Sequence, residues 1–238
     1  MRMIYKVSAI YLLLSACATP AETATETTVT SLLSDMRAAC GGDAWDDVEG
    51  WSEAGQVDLP GGMTAQYESW SQMHHLQTAS RAFAGKRQLR HVGFDGSSFW
   101  SVGTNGETKL SQDNELMRKQ RRDAYISSHA YFLPDRFPAD FQFLDTRERS
   151  GENFYILRIT PENADSVELW IDQEDYMVRR MEAGEEYVDL SDYRTFSGVC
   201  TATTGRQGSD DPAGELTLHI KTVDITRVPD DIFSPPSE

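Results

Sequence analysis

The chain contains five histidines, and two of them, His74 and His75, are adjacent. Imidazole nitrogens bind metal ions and act as general bases, so this pair is the first candidate for a metal centre or a metal-assisted hydrolase. Neighbouring side chains on a strand point to opposite faces, and this region is predicted to be extended, so the two rings would not readily share one ion. His91, His129 and His219 supply no His-x-His or His-Glu-x-x-His spacing. We therefore expect exposed or hydrogen-bonded histidines, with no metal and no cofactor.

The sequence gives even less support for a catalytic serine nucleophile. Residues 93–97 are Gly-Phe-Asp-Gly-Ser, which is not the Gly-x-Ser-x-Gly turn of a serine hydrolase. Asp95-Gly96 is better interpreted as a tight turn between two strands, because both residues tolerate turn conformations. No catalytic residue can be named, and the sequence predicts a protein that is not an enzyme.

Cys17 lies at the end of a short apolar run near the N-terminus. Arg2 and Lys6 form a positive segment, an apolar stretch follows, and small residues precede the cysteine, which is the order of a secretory signal and its cleavage site. The sequence Leu-Ser-Ala-Cys at 14–17 resembles the lipobox of bacterial lipoproteins. That resemblance implies removal of residues 1–16 as a signal peptide and attachment of fatty acyl chains such as palmitate to Cys17. An ordinary signal peptide with an incidental cysteine is the alternative.

The residues after Cys17 indicate which bacterial membrane the protein would be attached to. In bacterial lipoproteins an aspartate here favours the inner membrane, and Ala18 and Thr19 lack it, so we expect the periplasmic face of the outer membrane. Residues 17–30 repeat Thr, Ala and Glu and predict a flexible tether. Residues 31–238 are expected to form one folded domain.

The charge of the chain excludes one class of partner. The formal net charge is −16, and loss of Arg2 and Lys6 with the signal peptide lowers it by two, to −18. Such a surface repels nucleic acid backbones and anionic headgroups. Nucleic acid is therefore excluded as a partner, and the acyl chains at the N-terminus would have to anchor the protein to a membrane.

Cys40 and Cys200 remain as an even pair once Cys17 is acylated. Disulfides persist in the oxidising space outside the cytoplasm, so we expect these two residues to be bridged. Two unpaired thiols are the alternative. A zinc site is disfavoured because the chain has no Cys-x-x-Cys spacing.

Hydrophobic periodicity predicts two helices and many strands. The helices are Ser31–Cys40, ended by Gly41-Gly42, and Ser111–Ala130, with Ser111 as its N-cap. The predicted strands are Trp51–Leu59, Met63–Met73, His75–Phe83, Lys86–Phe94, Phe99–Val102, Phe141–Arg147, Phe154–Thr160, Val167–Asp172, Met177–Ala183, Tyr187–Phe196 and Leu216–Ile225. Residues 201–212 are predicted to be a loop. The fold class is therefore α+β, with a large antiparallel sheet that must curl and helices on its concave face.

Several scaffold segments carry a family resemblance. They are Gly41-Gly42 through Trp45, Gly55-Gln56-Val57-Asp58-Leu59, Asp95-Gly96-Ser97-Ser98-Phe99-Trp100, Ile171-Asp172 through Arg179-Arg180-Met181, and Val228-Pro229-Asp230-Asp231-Ile232-Phe233. Together they resemble the LolA/LolB-type outer-membrane lipoprotein-sorting superfamily over nearly all of residues 31–238. The resemblance implies an incomplete β-barrel whose helical lid encloses a hydrophobic cavity that accepts acyl chains.

Aromatic residues on the predicted strands are the candidates for lining such a cavity: Trp51, Tyr67, Trp100, Phe143 and Trp170. Plain core packing is the alternative for each of them, because alternation along a strand does not tell which face meets the cavity.

Three arginines share one face of the predicted central helix, namely Arg118, Arg121 and Arg122. They could contact a lipid phosphate or an acidic partner. A solvated helix face offset by neighbouring acids is the alternative.

The sequence thus predicts a membrane-anchored periplasmic lipoprotein that binds a lipid or other hydrophobic ligand in a half-barrel cavity, in lipid or lipoprotein handling. An envelope protein–protein interaction or sensory module on the same scaffold, without lipid transfer, is the alternative. A metal-assisted hydrolase built on His74 and His75 is the third hypothesis.

Overall fold

The computed structural model describes residues 28–208 and 215–236. Cys17, the predicted signal peptide and most of the predicted tether lie outside these ranges. The described strands form one antiparallel sheet of thirteen strands with the order β6-β5-β4-β3-β2-β1-β13-β12-β11-β10-β9-β8-β7. Their bounds are β1 Gly50–Leu59, β2 Met63–Gln72, β3 Gln77–Ala84, β4 Arg87–Phe94, β5 Phe99–Val102, β6 Thr108–Ser111, β7 Ala139–Arg149, β8 Glu152–Pro161, β9 Val167–Asp172, β10 Val178–Ala183, β11 Glu186–Phe196, β12 Val199–Gly208 and β13 Leu216–Asp224.

Two α-helices accompany the sheet, α1 at Val29–Ala39 and α2 at Asn114–Ser127. Short 3-10 helices occur at Gly42–Asp47, Ala130–Phe132 and Asp230–Phe233. No helix within the described ranges is both long enough and apolar enough to cross a membrane.

The sheet is an incomplete barrel, as predicted. Strands β1 to β6 run outward from the centre to one edge, and β7 to β13 run from the other edge back to the centre, where β13 pairs with β1. The edge strands β6 and β7 are consecutive in the chain, so the segment between them must cross the open side of the sheet. That segment contains α2, which contacts β3, β5 and β8. We call the face that carries α1 and α2 the inner face and the opposite one the outer face.

Helix α1 begins earlier than predicted. Thr28 and Ser31 form a reciprocal capping box, in which each side-chain oxygen accepts a hydrogen bond from the other residue's backbone N–H at 3.1 Å. Two residues assigned to the tether, 29 and 30, are therefore helical. The predicted stop is correct: Gly41 has a φ of 119°, and a Cβ there would lie 2.4 Å from the carbonyl oxygen of Gly198.

Helix α2 is shorter than predicted, because Asp113 and not Ser111 is its N-cap. The Asp113 carboxylate accepts hydrogen bonds from the backbone N–H groups of Glu115 and Leu116 at 3.1 and 3.0 Å. Ser111 instead ends β6, where it pairs with Phe99. The other end of the helix is set near His129, which has a positive φ of 49° and cannot continue an α-helix.

Two strands were missed by the sequence analysis, β6 and β12. Residues 201–208 of β12 fall in the segment 201–212, which was predicted to be a loop because it is rich in Gly, Ser and Asp. They are extended because β12 pairs with a strand on each side, β11 and β13. The prediction that a strand begins at His75 was wrong, because His74 and His75 both belong to the turn between β2 and β3. Both histidines are exposed.

The largest core lies between the helices and the inner face of β8, β9 and β10. Leu32 and Met36 of α1 pack there against inward residues such as Leu157 and Leu169, all at most 1 % exposed. The predicted disulfide between Cys40 and Cys200 is present and joins the end of α1 to β12 across 160 residues of chain. The helical layer is thus attached to the sheet covalently as well as by packing.

Candidate functional site

A cavity of about 350 Å³ lies between the helices and the inner face of the sheet. Its roof is formed by α1, α2 and the 129–132 segment, and its floor by two groups of strands, β1–β4 and β10–β13. The side chains of the roof are Met36, Gln120, Asp123, Ile126, His129, Tyr131 and Phe132. This volume is at the lower end of the range of about 300–1,000 Å³ for small-molecule sites.

The strands β10–β13 give the cavity an apolar wall. Its side chains are Met177, Met181, Val188, Leu190, Leu218 and Ile220. The strand register places them together: Met181 pairs with Val188, and both Leu190 and Leu218 pair with Gly205. Because paired residues share a face of a sheet, these side chains form one continuous apolar surface.

The strands β1–β4 give it a polar wall instead. One row across the four strands is Glu53, Ser69, Ser80 and Val92, and the next row includes Tyr67 and Arg90. All six border the cavity. The hollow is therefore amphipathic, with aliphatic side chains on one side and hydroxyl, carboxyl and guanidinium groups on the other.

Glu53 is the acid of the polar wall, and it is half-buried. Its carboxylate accepts hydrogen bonds from Trp51 Nε1 at 2.7 Å and from Ser69 Oγ at 3.2 Å. Burial raises the pKa of Glu53 above its ordinary value, and these two hydrogen bonds offset only part of that rise. Burial, together with the nearby charge of Glu53, also raises the pKa of Tyr67 to about 12, so its hydroxyl keeps its proton.

Asp123 is the carboxylate of the roof, and it has a cationic partner. Burial raises its pKa, while Arg122 acts in the opposite direction through hydrogen bonds of 2.9 and 2.7 Å to one carboxylate oxygen. The two carboxylates of the cavity thus differ: one is paired with a guanidinium and the other has only neutral donors.

His129 closes one end of the cavity. Its ring lies 5.1 Å from Trp45 and 4.9 Å from Trp51, centroid to centroid, and its Nε2 lies 3.4 Å from Thr201 Oγ1. Burial lowers the pKa of His129 to about 4, so the ring is neutral at neutral pH. It contributes an aromatic surface to the site rather than a charge.

Of the five aromatic residues that were predicted to line the cavity, the structure places two beside it and three away from it. Trp51 and Tyr67 border the cavity. Trp100 does not: Phe99 pairs with Phe94 on the inner face, so Trp100 points to the outer face, where it lies across Gly93 and donates a hydrogen bond of 2.7 Å to the carbonyl of Phe233.

Trp170 and Phe143 also lie away from the cavity. Trp170 is on the outer face, 5.8 Å from the ring of Phe154 and 5.2 Å from the Arg147 guanidinium. Phe143 is on the inner face but on the edge strand β7, where it packs against Tyr155 at 6.2 Å, too far along the sheet to reach the hollow.

The three arginines of α2 are engaged by other groups of the chain. Arg118 pairs with Asp165 at 2.9 Å, Arg121 donates to the carbonyl of Asn163 at 3.3 Å, and Arg122 binds Asp123. The contacts of Arg118 and Arg121 hold α2 against the turn between β8 and β9, whereas the Arg122–Asp123 pair lies within the helix. The geometry favours the alternative given above, a helix face offset by acids, over a contact with a lipid phosphate or partner.

Sequence reasoning did not single out Glu53. Glu53 is two residues from Trp51 on the same predicted strand, so the two share a face. That pattern alone does not mark a polar site, because Trp170 also shares its face with two carboxylates and lies away from the cavity. As for metals, no group of three or more His, Cys, Asp or Glu side chains in the described ranges is placed to hold an ion.

No protein-family model and no curated sequence matches this chain. Solved structures do match it in fold. A LolA superfamily protein from Nitrosomonas europaea is similar with a TM-score of 0.58 and 14% identity, over 88% of this chain and 98% of that one. A DUF1329 family protein from Desulfovibrio piger has a TM-score of 0.56 and 13% identity, over 87% and 97%.

A third structure, described as an outer membrane lipoprotein-sorting protein domain from Vibrio parahaemolyticus, has a TM-score of 0.55 and 10% identity, over 85% of this chain and 94% of that one. At these identities the likeness is one of fold. The chain has the LolA-type fold that its scaffold segments predict.

Proposed function

We propose that this protein binds a hydrophobic ligand bearing an acyl or alkyl chain in the cavity beneath α2, and that it does so at the bacterial envelope in lipid or lipoprotein handling. The observation that carries the proposal is the continuous apolar wall of β10–β13 facing an unfilled volume of about 350 Å³. The sequence signal at Cys17 supports attachment to a membrane, on the periplasmic face of the outer membrane. The proposed activity is binding and release, with no covalent step.

The size of the cavity defines the ligand it takes. A volume at the lower end of known sites fits one chain rather than a complete diacyl lipid. Each buried methylene contributes about 0.8 kcal/mol, so a ten-methylene chain gains about 8 kcal/mol before ordering costs are subtracted. That gain is sufficient for reversible binding.

Ligand entry requires α2 to move, because it crosses the open side of the sheet. Its ion pairs resist this only weakly: in the Lys119–Glu186 pair, at 2.7 Å, the side chains are 41% and 45% exposed. Exposed pairs contribute about 0.2–1 kcal/mol each. The buried contacts of Met117, Ala124 and Tyr125 therefore set most of the free energy needed to displace the helix.

A chain-length series tests the proposal. An apolar fluorescent dye bound to the folded protein is displaced by hexanol, octanol and decanol, and affinity is expected to rise by up to about fourfold per methylene at 0.8 kcal/mol each. Alcohols are used because they carry no charge. Affinities that do not depend on chain length would contradict a chain-binding cavity, and capture of one stoichiometric protein partner without lipid would favour the interaction module instead.

A further inference from the structure

The polar wall of the cavity contains an acid without a counter-charge. The acceptor atoms of Glu53 receive hydrogen bonds from an indole N–H and a hydroxyl, both neutral. In the part of the chain that the structure describes, no Lys, Arg or His nitrogen lies within 4.0 Å of this carboxylate. Buried carboxylates are normally paired with a cation, because an isolated buried charge is costly.

The other charged groups near the cavity do not supply that cation. The Arg122 guanidinium is bound to Asp123 at 2.7 Å. Arg90 lies in the adjacent row of the polar wall, is exposed, and donates from Nε to Ser80 Oγ at 3.3 Å. His129 is neutral and packs in a tilted orientation against Trp45 and Trp51. Within the described residues no protein cation is therefore bound to Glu53, and an ammonium group from outside the protein would satisfy its carboxylate.

We propose that the ligand of this cavity is an amphiphile with an amino head group, and that Glu53, helped by the hydroxyl group of Ser69, binds the ammonium while the wall of β10–β13 takes the chain. This inference rests on the proposed function. An anionic head is disfavoured at this position because it would lie beside the Glu53 carboxylate. An ammonium has three donors, which matches the two oxygens of the Glu53 carboxylate and the hydroxyl oxygen of Ser69.

Three probes of equal chain length test this inference: dodecylamine, dodecanol and dodecanoate, each in competition with the same apolar dye. The wild-type protein is expected to prefer dodecylamine over dodecanol by at least about tenfold, and dodecanol over dodecanoate. Glu53→Gln keeps the shape and an acceptor for Trp51, and it should reduce the preference for dodecylamine over dodecanol to near parity. Thermal unfolding of this variant checks that it is folded.

Glu68→Gln is the matched control, because Glu68 neighbours Ser69 in sequence but pairs with Arg81 on the outer face. It should retain the amine preference. If both variants lose the preference equally, or if the wild-type protein binds amine and alcohol alike, the role of Glu53 is refuted while chain binding stands. If no dodecyl compound displaces the dye, the proposed function itself fails.

Discussion

Filling the cavity from its apolar wall should weaken ligand binding without destabilising the protein. Val188 is half-buried on β11 and faces the cavity. In Val188→Trp an indole enters space that is otherwise unfilled, and it displaces about four methylenes of a bound chain. At about 0.8 kcal/mol each, the loss is about 3 kcal/mol, or about two hundredfold in the dissociation constant of decanol.

The stability of this variant distinguishes a hollow from a packed core. A large side chain forced into a packed core costs about 1–3 kcal/mol, whereas one that enters a cavity brings no such penalty. Val167 provides the matched control, since it is 4% exposed in the main core and does not border the cavity. Urea unfolding should show Val167→Trp destabilised in this range and Val188→Trp within about 1 kcal/mol of wild type.

The reasoning is refuted if Val188→Trp is destabilised as much as Val167→Trp and still binds decanol with wild-type affinity. That result would mean that the inner face is solid at β11 and that the alcohol binds elsewhere.

Three further predictions concern the scaffold. Gly93→Ala should lose about 1–3 kcal/mol of unfolding free energy, because its Cβ would lie 2.3 Å from an indole carbon, whereas Gly205→Ala, with a nearest contact of 3.5 Å, should be near neutral in urea. Replacing both Cys40 and Cys200 by Ala should lower stability by up to about 5 kcal/mol, since the bridge closes a 160-residue loop. Burial lowers the pKa of His129 to about 4, from 6.5, so the unfolded chain gains its proton first as pH falls. The free energy of unfolding should therefore decrease by up to about 3 kcal/mol as the pH falls from 6.5 to about 4. His129→Asn should remove this pH dependence.

Each of these has a contrary outcome. Equal effects of the two glycine variants would mean that the close approach at Gly93 relaxes freely. A midpoint unchanged in the cysteine variant would show that the bridge does not restrict the unfolded chain. A pH profile that is the same in wild type and His129→Asn would assign the acid sensitivity to other groups.

Much of the fold could be predicted from the sequence because strand alternation and turn residues are local signals. Phe99–Val102 and Val167–Asp172 have the predicted bounds, and Gly96 has the positive φ of 93° that a tight turn needs. Strand β12 could not be predicted, since its Thr and Gly residues have little hydrophobic alternation and it is held in the sheet by its two neighbours.

The site was harder to predict because it depends on which face of each strand meets the helices. For Trp170 the signal was present and was not used: Glu168 and Asp172 share its face, while Leu169, on the other face, is fully buried. For Trp100 no such signal existed, because Phe99 beside it is equally apolar. Only the position of α2 across the sheet determines which of the aromatic residues border the hollow.

The most direct test of the account is native mass spectrometry of the full chain extracted from bacterial membranes, beside Val188→Trp prepared in the same way. We predict that the wild-type protein retains one noncovalent ligand with an alkyl or acyl chain, and that the variant has lost it. A wild-type protein that carries no such ligand and takes up none when decanol is added would contradict the account, as would an equal ligand load on both proteins.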